Sequence, residues 1–206
     1  TAARLRSKAA ARRPALPYGE TMRALLIVDV QNDFCEGGSL AVERATATVR
    51  GINALLATDH GYAHVVATKD YHIDPGDHFA EHPDYLSSWP PHCVAGSRGA
   101  EFHPELNTAP IEAVFRKGAY TAAYSGFEGA ADNTTLLDWL RARGVDEVDI
   151  VGIATDYCVR DTARDAVDAG FTTRVLVDLT AGVARESTEA ALDEMRGCGV
   201  ELVHTA

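Results

Sequence analysis

The chain has 206 residues, 46% of them hydrophobic, so it is long enough to bury a full core within one domain. Its formal net charge is −11, and because the first 21 residues carry five basic residues and one acidic residue, the remainder carries −15. Such an acidic body argues against nucleic-acid or anionic-membrane binding, and no apolar run approaches the ~18 residues that a membrane span needs.

The first 21 residues are rich in alanine and arginine and contain no apolar run. We expect them to be a disordered basic extension, followed by a single domain over residues 22–206. The four cysteines are widely spaced and form no CxxC pair, which predicts neither a disulfide framework nor a zinc ribbon. Reduced cysteines indicate a cytoplasmic location.

Strand and helix patterns alternate along the rest of the chain. Apolar runs of strand length occur at residues 24–30, 64–68, 113–116, 148–153, 173–177 and 200–203. Helical periodicity occurs at residues 42–58, 134–143, 159–169 and 187–196. This alternation predicts an α/β fold: a three-layer sandwich with a mainly parallel central sheet and helices on both faces.

Two residues at strand ends are candidates for chemistry. Asp29 comes at the end of the first apolar run, where ligands bind in open α/β sheets, although it could instead cap a turn. Cys158 comes just before the third predicted helix, where the helix dipole is expected to favour a thiolate. The alternative for Cys158 is a buried structural cysteine.

The segment 69–110 is too long for a plain connection, and loops of this length are usually functional. Asp70 and His72 follow a predicted strand with a spacing of two, which places both side chains on one face. Two further histidines would complete a site for Fe(II), Mn(II) or Zn(II). Among the other histidines of the segment are His78, His82 and His92. Alternatively, the histidines of this polar loop are simply solvated.

Five motifs along the chain resemble those of one family, in the family's order. They are VDVQNDFCEGGSL, TKDYHIDPGDHF, SSWPPHCV, FRKGAYTAAYSGFEG and GIATDYCVRDTARDA. Together they resemble the nicotinamidases, or pyrazinamidases, of the isochorismatase-like cysteine hydrolases, above all the actinobacterial members. The resemblance covers residues 22–206 and implies the isochorismatase-like hydrolase fold.

The resemblance implies catalytic roles for three residues. Asp29 would be the catalytic aspartate, which takes the thiol proton, Lys117 the catalytic lysine and Cys158 the nucleophile. The family's cis peptide bond would fall between Ile153 and Ala154, beside the backbone N–H groups that hold the oxyanion. A lysine at a strand end is otherwise most often a solvated charge, so the role of Lys117 rests on the resemblance.

The resemblance also implies one divalent metal ion, Fe, Mn or Zn, and an aromatic substrate pocket. The implied metal ligands are Asp70, His72, His78 and His92, and the implied pocket residues are Phe34, Trp89, Tyr124 and Tyr157. Tyr157 departs from close relatives, which carry histidine just before the nucleophile, so the shape of the pocket is expected to differ from theirs.

The implied reaction is hydrolysis of nicotinamide to nicotinate and ammonia through a cysteine thioester, and of pyrazinamide in the same way. The enzyme would be a monomer or small homo-oligomer with no nucleic-acid or membrane partner. Two alternatives remain: a metal-independent cysteine amidohydrolase acting on an N-carbamoyl compound, and a non-catalytic metal-binding protein on the same fold. An isochorismatase is disfavoured, since members with that activity lack the cysteine.

Overall fold

The structure is a computed structural model of the chain and describes residues 21–205. The expected N-terminal extension, apart from Thr21, lies outside the described residues. Within the described range the strands are β1 Arg23–Val28, β2 His64–Asp70, β3 Ala113–Lys117, β4 Ala130–Ala131, β5 Thr134–Thr135, β6 Glu147–Ile153, β7 Thr172–Ala181 and β8 Glu201–Val203. The α-helices are α1 Ala45–Leu56, α2 Leu136–Ala142, α3 Arg160–Asp168 and α4 Arg185–Gly197.

The strands form one sheet in the order β5-β4-β3-β2-β1-β6-β7-β8. The six neighbouring strands β3, β2, β1, β6, β7 and β8 pair in parallel. The short strands β4 and β5 form an antiparallel hairpin at the β3 edge of the sheet. The predicted mainly parallel sheet is therefore confirmed. Strands β2, β1 and β6 lie at its centre, which explains why their residues are buried almost throughout.

Each face of the sheet carries its own hydrophobic core. Leu25 and Ile27 of β1 point to one face, where they share a core with helix α1. Leu26 and Val28 point to the other face, where the core includes residues of α2, α3 and α4. Successive strand side chains point to opposite faces, so one continuous apolar strand serves both layers. The predicted three-layer arrangement is confirmed.

The edge hairpin β4–β5 was not predicted, and the predicted helix 134–143 begins two residues later, at Leu136. The hairpin turns at Asp132 and Asn133, whose φ angles are positive, at 47° and 65°, as the favoured two-residue hairpin turns require. Asp and Asn are residue types that favour such turns, and this was the signal for the hairpin in the sequence. Strands of two residues are too short to show alternation. Thr135 caps α2, its hydroxyl accepting a hydrogen bond from Asp138 N at 3.1 Å.

The remaining predicted elements are present, with shifted ends. Strand β2 continues to Asp70, so Asp70 is its last residue and does not follow it. The segment between β2 and β3 is irregular, as expected, apart from the 3₁₀ turn Gly76–His78. No helix in residues 21–205 is long and apolar enough to cross a membrane.

Gly152 of β6 lies against the backbone of Val28 in β1, and this contact leads to a stability prediction. Its φ is 117°, and a Cβ there would lie 2.1 Å from Val28 O. We expect Gly152→Ala to lower the free energy of unfolding by about 3 kcal/mol or more, from backbone strain and overpacking. Gly197→Ala is the matched control, because a Cβ at Gly197 would meet no neighbouring element within 4 Å. Urea denaturation measures both, and equal stabilities would contradict the prediction.

Candidate active site

The predicted catalytic residues meet at the carboxyl end of the sheet. Asp29 follows β1, Asp70 ends β2, Lys117 ends β3, and Cys158 follows β6. These four strands are neighbours in the sheet, so their ends lie side by side. Asp29 has a φ of 48°, a left-handed conformation that aspartate tolerates better than most residues. The site therefore occupies the position where open α/β sheets bind ligands.

Lys117 holds the two carboxylates together. Its Nζ lies 2.9 Å from Asp29 Oδ2, donates to Asp70 Oδ1, and donates to Ala123 O at 3.3 Å. The side chain is fully buried. Burial by itself would lower the pKa of Lys117, but the carboxylates of Asp29 and Asp70 outweigh burial and raise it well above the usual value. Lys117 is therefore an ammonium ion at neutral pH.

Asp29 is fully buried and is oriented by Thr68. The Thr68 hydroxyl donates to Asp29 Oδ1 at 2.5 Å and accepts from Asp29 N at 3.2 Å. Burial raises the pKa of Asp29, while Lys117 opposes that rise. A carboxyl group with a raised pKa is a better proton acceptor than an exposed one, which suits a general base.

Cys158 lies in the π-helical turn Thr155–Val159, directly before α3. Its Sγ is 3.6 Å from Lys117 Nζ. Burial raises the pKa of the Cys158 thiol well above its usual value, and Lys117 opposes this rise without reversing it. The pKa of this thiol is therefore not lowered, contrary to the expectation from its position before the helix, because burial raises it. The peptide bond between Ile153 and Ala154, just before this turn, is cis.

The predicted metal ligands converge next to this group. Ring nitrogens of His72, His78 and His92 lie within 4.8 Å of one another. Asp70 Oδ2 is 3.6 Å from His72 Nε2 and 3.9 Å from His92 Nε2. His82, another histidine of the segment, is exposed and lies apart from this cluster.

The ring orientations fit a cation. His72 Nδ1 donates to Gly118 O at 2.6 Å and His92 Nδ1 donates to Pro90 O at 2.8 Å, which leaves both Nε2 atoms as acceptors. His72 Nε2 and His78 Nδ1 are buried without a hydrogen-bond partner. Burial and the neighbouring histidines lower the pKa of His78 to about 4, so its ring is neutral at neutral pH. Three imidazoles and one carboxylate are a donor set suited to Fe(II), Mn(II) or Zn(II).

A pocket opens onto both groups. Cys158 and Ala154 contribute to its wall, and so do Asp70, His78 and His92. The predicted pocket residues also line it: Phe34, Trp89, Tyr124 and Tyr157.

The aromatic side chains of the pocket pack against one another. The Trp89 indole N–H donates to the Tyr124 hydroxyl at 3.1 Å. The ring of Tyr157 stands nearly perpendicular to Trp89, with centroids 5.1 Å apart. Asp29, Lys117 and His72 lie beneath the pocket wall, where they are buried almost completely. A flat aromatic molecule of one ring fits this shape and chemistry.

Residues 23–206 match the isochorismatase domain family. The chain belongs to the isochorismatase family. It is 70% identical over 183 residues to the nicotinamidase/pyrazinamidase of Mycobacterium tuberculosis, covering 88% of this chain and 98% of that protein.

Two solved structures of similar proteins share the fold of this chain. The Leishmania infantum protein PnC1, solved in complex with nicotinate, superposes with a TM-score of 0.80 at 39% identity, covering 90% of this chain and 93% of that one. The Pyrococcus horikoshii pyrazinamidase, solved in complex with zinc, gives 0.76 at 36% identity, covering 88% and 98%.

Several polar residues that brace this isochorismatase-family site were missed in the sequence. Thr68 was assigned only to a strand, and Asp156 only to a turn. Asp156 is buried and accepts from Val183 N at 2.9 Å and from the Ser187 hydroxyl at 2.5 Å, which ties the turn of Cys158 to the start of α4. No local pattern marks these residues, because their partners are distant in sequence.

The buried ion group leads to a second stability prediction. Lys117→Met leaves two buried carboxylates without their cation, so we expect a loss of about 3–5 kcal/mol in unfolding free energy at neutral pH. Lys69→Met is the control, since Lys69 pairs at 3.4 Å with the largely exposed Glu101, and about 1 kcal/mol or less should be lost. Urea denaturation of chelator-treated protein compares the two. Similar losses would show that Lys117 does not neutralise the carboxylates.

Proposed function

We propose that this protein hydrolyses the carboxamide of nicotinamide, releasing nicotinate and ammonia, and that it hydrolyses pyrazinamide in the same way. The observation that carries the proposal is that one aromatic pocket exposes both the Cys158 thiol and a cluster of metal-ligand type. The names of the similar proteins support the same substrate class. A metal-independent amidohydrolase would have no use for the three converging histidines.

The first half of the reaction forms a thioester. Asp29 takes the thiol proton as Cys158 Sγ attacks the carboxamide carbon, and Lys117, 3.6 Å from Sγ, stabilises the negative charge as it develops. The backbone N–H groups of Ala154 and Cys158 are the proposed donors to the oxyanion. Asp29 then gives its proton to the amide nitrogen, and ammonia leaves as the carbon–nitrogen bond breaks.

The second half releases the acid. A water molecule in the place of ammonia loses a proton to Asp29 and attacks the thioester carbon. The carbon–sulfur bond breaks, the carboxylic acid forms, and the thiolate recovers a proton from Asp29. In each half-reaction Asp29 thus accepts one proton and donates one, which a buried carboxyl group with a raised pKa can do.

Asp70, His72, His78 and His92 are the proposed ligands of one divalent ion. When bound, such an ion supplies a Lewis-acid contact for a ring nitrogen. Phe34, Trp89, Tyr124 and Tyr157 enclose the ring and aim its carboxamide at Cys158.

The direct test is ammonia release from nicotinamide by the purified protein. Turnover with equal amounts of nicotinate and ammonia supports the proposal. A metal-loaded, folded protein that releases no ammonia from nicotinamide or pyrazinamide would contradict it and would favour the non-catalytic alternative.

Replacing the nucleophile should abolish turnover. Cys158→Ala removes the sulfur that carries the acyl group, and a small apolar residue still fits the buried turn. Cys198→Ala is the control, because Cys198 is half-buried at the end of α4 and should leave kcat/KM unchanged. More than about a tenth of the original activity in Cys158→Ala would rule out covalent catalysis, since loss of a nucleophile normally costs far more.

Comparison of nicotinamide with benzamide tests the contact to the ring nitrogen. Benzamide lacks that nitrogen, so its kcat/KM should be lower than that of nicotinamide. The corresponding loss of transition-state stabilisation should exceed the ~1–3 kcal/mol typical of a small apolar difference. Removing the metal, or His72→Ala, should reduce activity on nicotinamide far more than on benzamide. An unchanged ratio of the two kcat/KM values after verified metal removal would make the ion structural.

A further inference from the structure

Gln31 is a buried amide that holds Asp70 by the backbone. Its Nε2 donates to Asp70 O at 2.8 Å and to Ala100 O at 3.0 Å, and its Oε1 accepts from Asp70 N at 2.8 Å. Strand β1 ends at Val28, whereas β2 continues to Asp70, so the main chain of β1 offers Asp70 no partner. The side-chain amide takes the place of that missing strand, because it can both donate and accept.

Asp33 makes a comparable contact to the residue after His92. Its Oδ2 accepts a hydrogen bond from Cys93 N at 2.7 Å. Cys93 has a φ of 47°, a conformation that costs energy unless its surroundings fix it. Cys93 O accepts from His72 N at 3.0 Å, so the same residue also joins the strand end that carries His72. Asp33 therefore holds the peptide that links His92 to Cys93.

The two contacts come from one short stretch of chain. Residues 31–33 begin two positions after Asp29 and reach two ligand-bearing segments that are 39 and 60 residues away in sequence. Asn32 lies between them, and its amide donates instead to Arg98 O at 2.7 Å, away from the ligands. Ligand groups must be held to within about 0.5 Å for a site to bind well, and that precision comes from the residues behind them.

We propose that Gln31 and Asp33 are positioning residues for the metal site. They fix the backbone at Asp70 and at His92 so that the carboxylate and the imidazole converge before any ion binds. The inference rests on the metal ligands named under the proposed function. It assigns a purpose to two residues that touch neither the ion nor the substrate.

The test is the affinity of the full chain for Zn²⁺, measured by transfer of the ion from the loaded protein to a chromophoric chelator. Gln31→Met and Asp33→Ala should each weaken Zn²⁺ binding by about ten- to a hundredfold, the range for residues that support metal ligands. Asp33→Asn should recover part of the loss, because its amide oxygen can accept the same hydrogen bond. Asn32→Ala is the matched control and should bind Zn²⁺ as the unaltered protein does.

A second variant displaces the Asp33 carboxylate without replacing Asp33 itself. A Cβ at Gly99 would lie 2.0 Å from Asp33 Oδ2, and the φ of Gly99 is not in the left-handed region, so Gly99→Ala displaces the carboxylate at little backbone cost. It should also weaken Zn²⁺ binding, even if Asp33→Ala does not fold. Thermal unfolding of the metal-free proteins separates loss of affinity from loss of fold.

The outcomes are distinct. Unchanged Zn²⁺ affinity in Gln31→Met and Gly99→Ala, with the unaltered protein binding Zn²⁺, overturns the positioning role and leaves the proposed function standing. The positioning role is also overturned if the variants lose Zn²⁺ affinity only in proportion to their loss of metal-free stability, and if Asn32→Ala loses as much affinity as they do. Failure of the unaltered protein to bind Zn²⁺, Fe²⁺ or Mn²⁺ overturns both the ligand set and the inference.

Discussion

The ion group of Lys117, Asp29 and Asp70 connects the two halves of the site. One buried ammonium contacts the carboxylate beside the nucleophile and the carboxylate among the histidines. Taken separately, each carboxylate would be costly to bury; together with Lys117 they leave one net negative charge. The catalytic group and the metal-type group therefore cannot be arranged independently, because a shift of either carboxylate moves the cation that both share.

The parallel sheet makes this arrangement possible. Asp70 and Lys117 are register partners on β2 and β3, and Asp29 directly follows the next strand along, β1. Three charged groups on adjacent strand ends meet without any long loop having to fold over them. The irregular segment between β2 and β3 places His78, Trp89 and His92 in the wall of the pocket above these strand ends.

Much of this could be predicted from the sequence, and the omissions have a common cause. Apolar runs identified the central strands, because a strand buried on both faces needs an apolar residue at almost every position. The strand-end positions of Asp29 and Cys158 could be inferred from spacing, whereas Lys117 and the full histidine set depended on the family resemblance. Gln31, Asp33 and Thr68 could not be found, since each acts through a hydrogen bond to a residue at least 39 positions away. The thiolate expectation failed because the sequence does not show how completely Cys158 is buried.

The pocket lies where the two hydrophobic cores of the domain meet. Ala154 belongs to the core on the α1 face, Cys158 to the core on the opposite face, and Tyr157 packs against both. Five residues of chain thus cross from one layer to the other, and their alignment depends on the packing of each. Substitutions far from the pocket, in either layer, can therefore shift Cys158, the proposed nucleophile, relative to the proposed oxyanion donors. Substitutions that lower activity are therefore expected in both layers of the domain, and not only among the residues that touch the substrate.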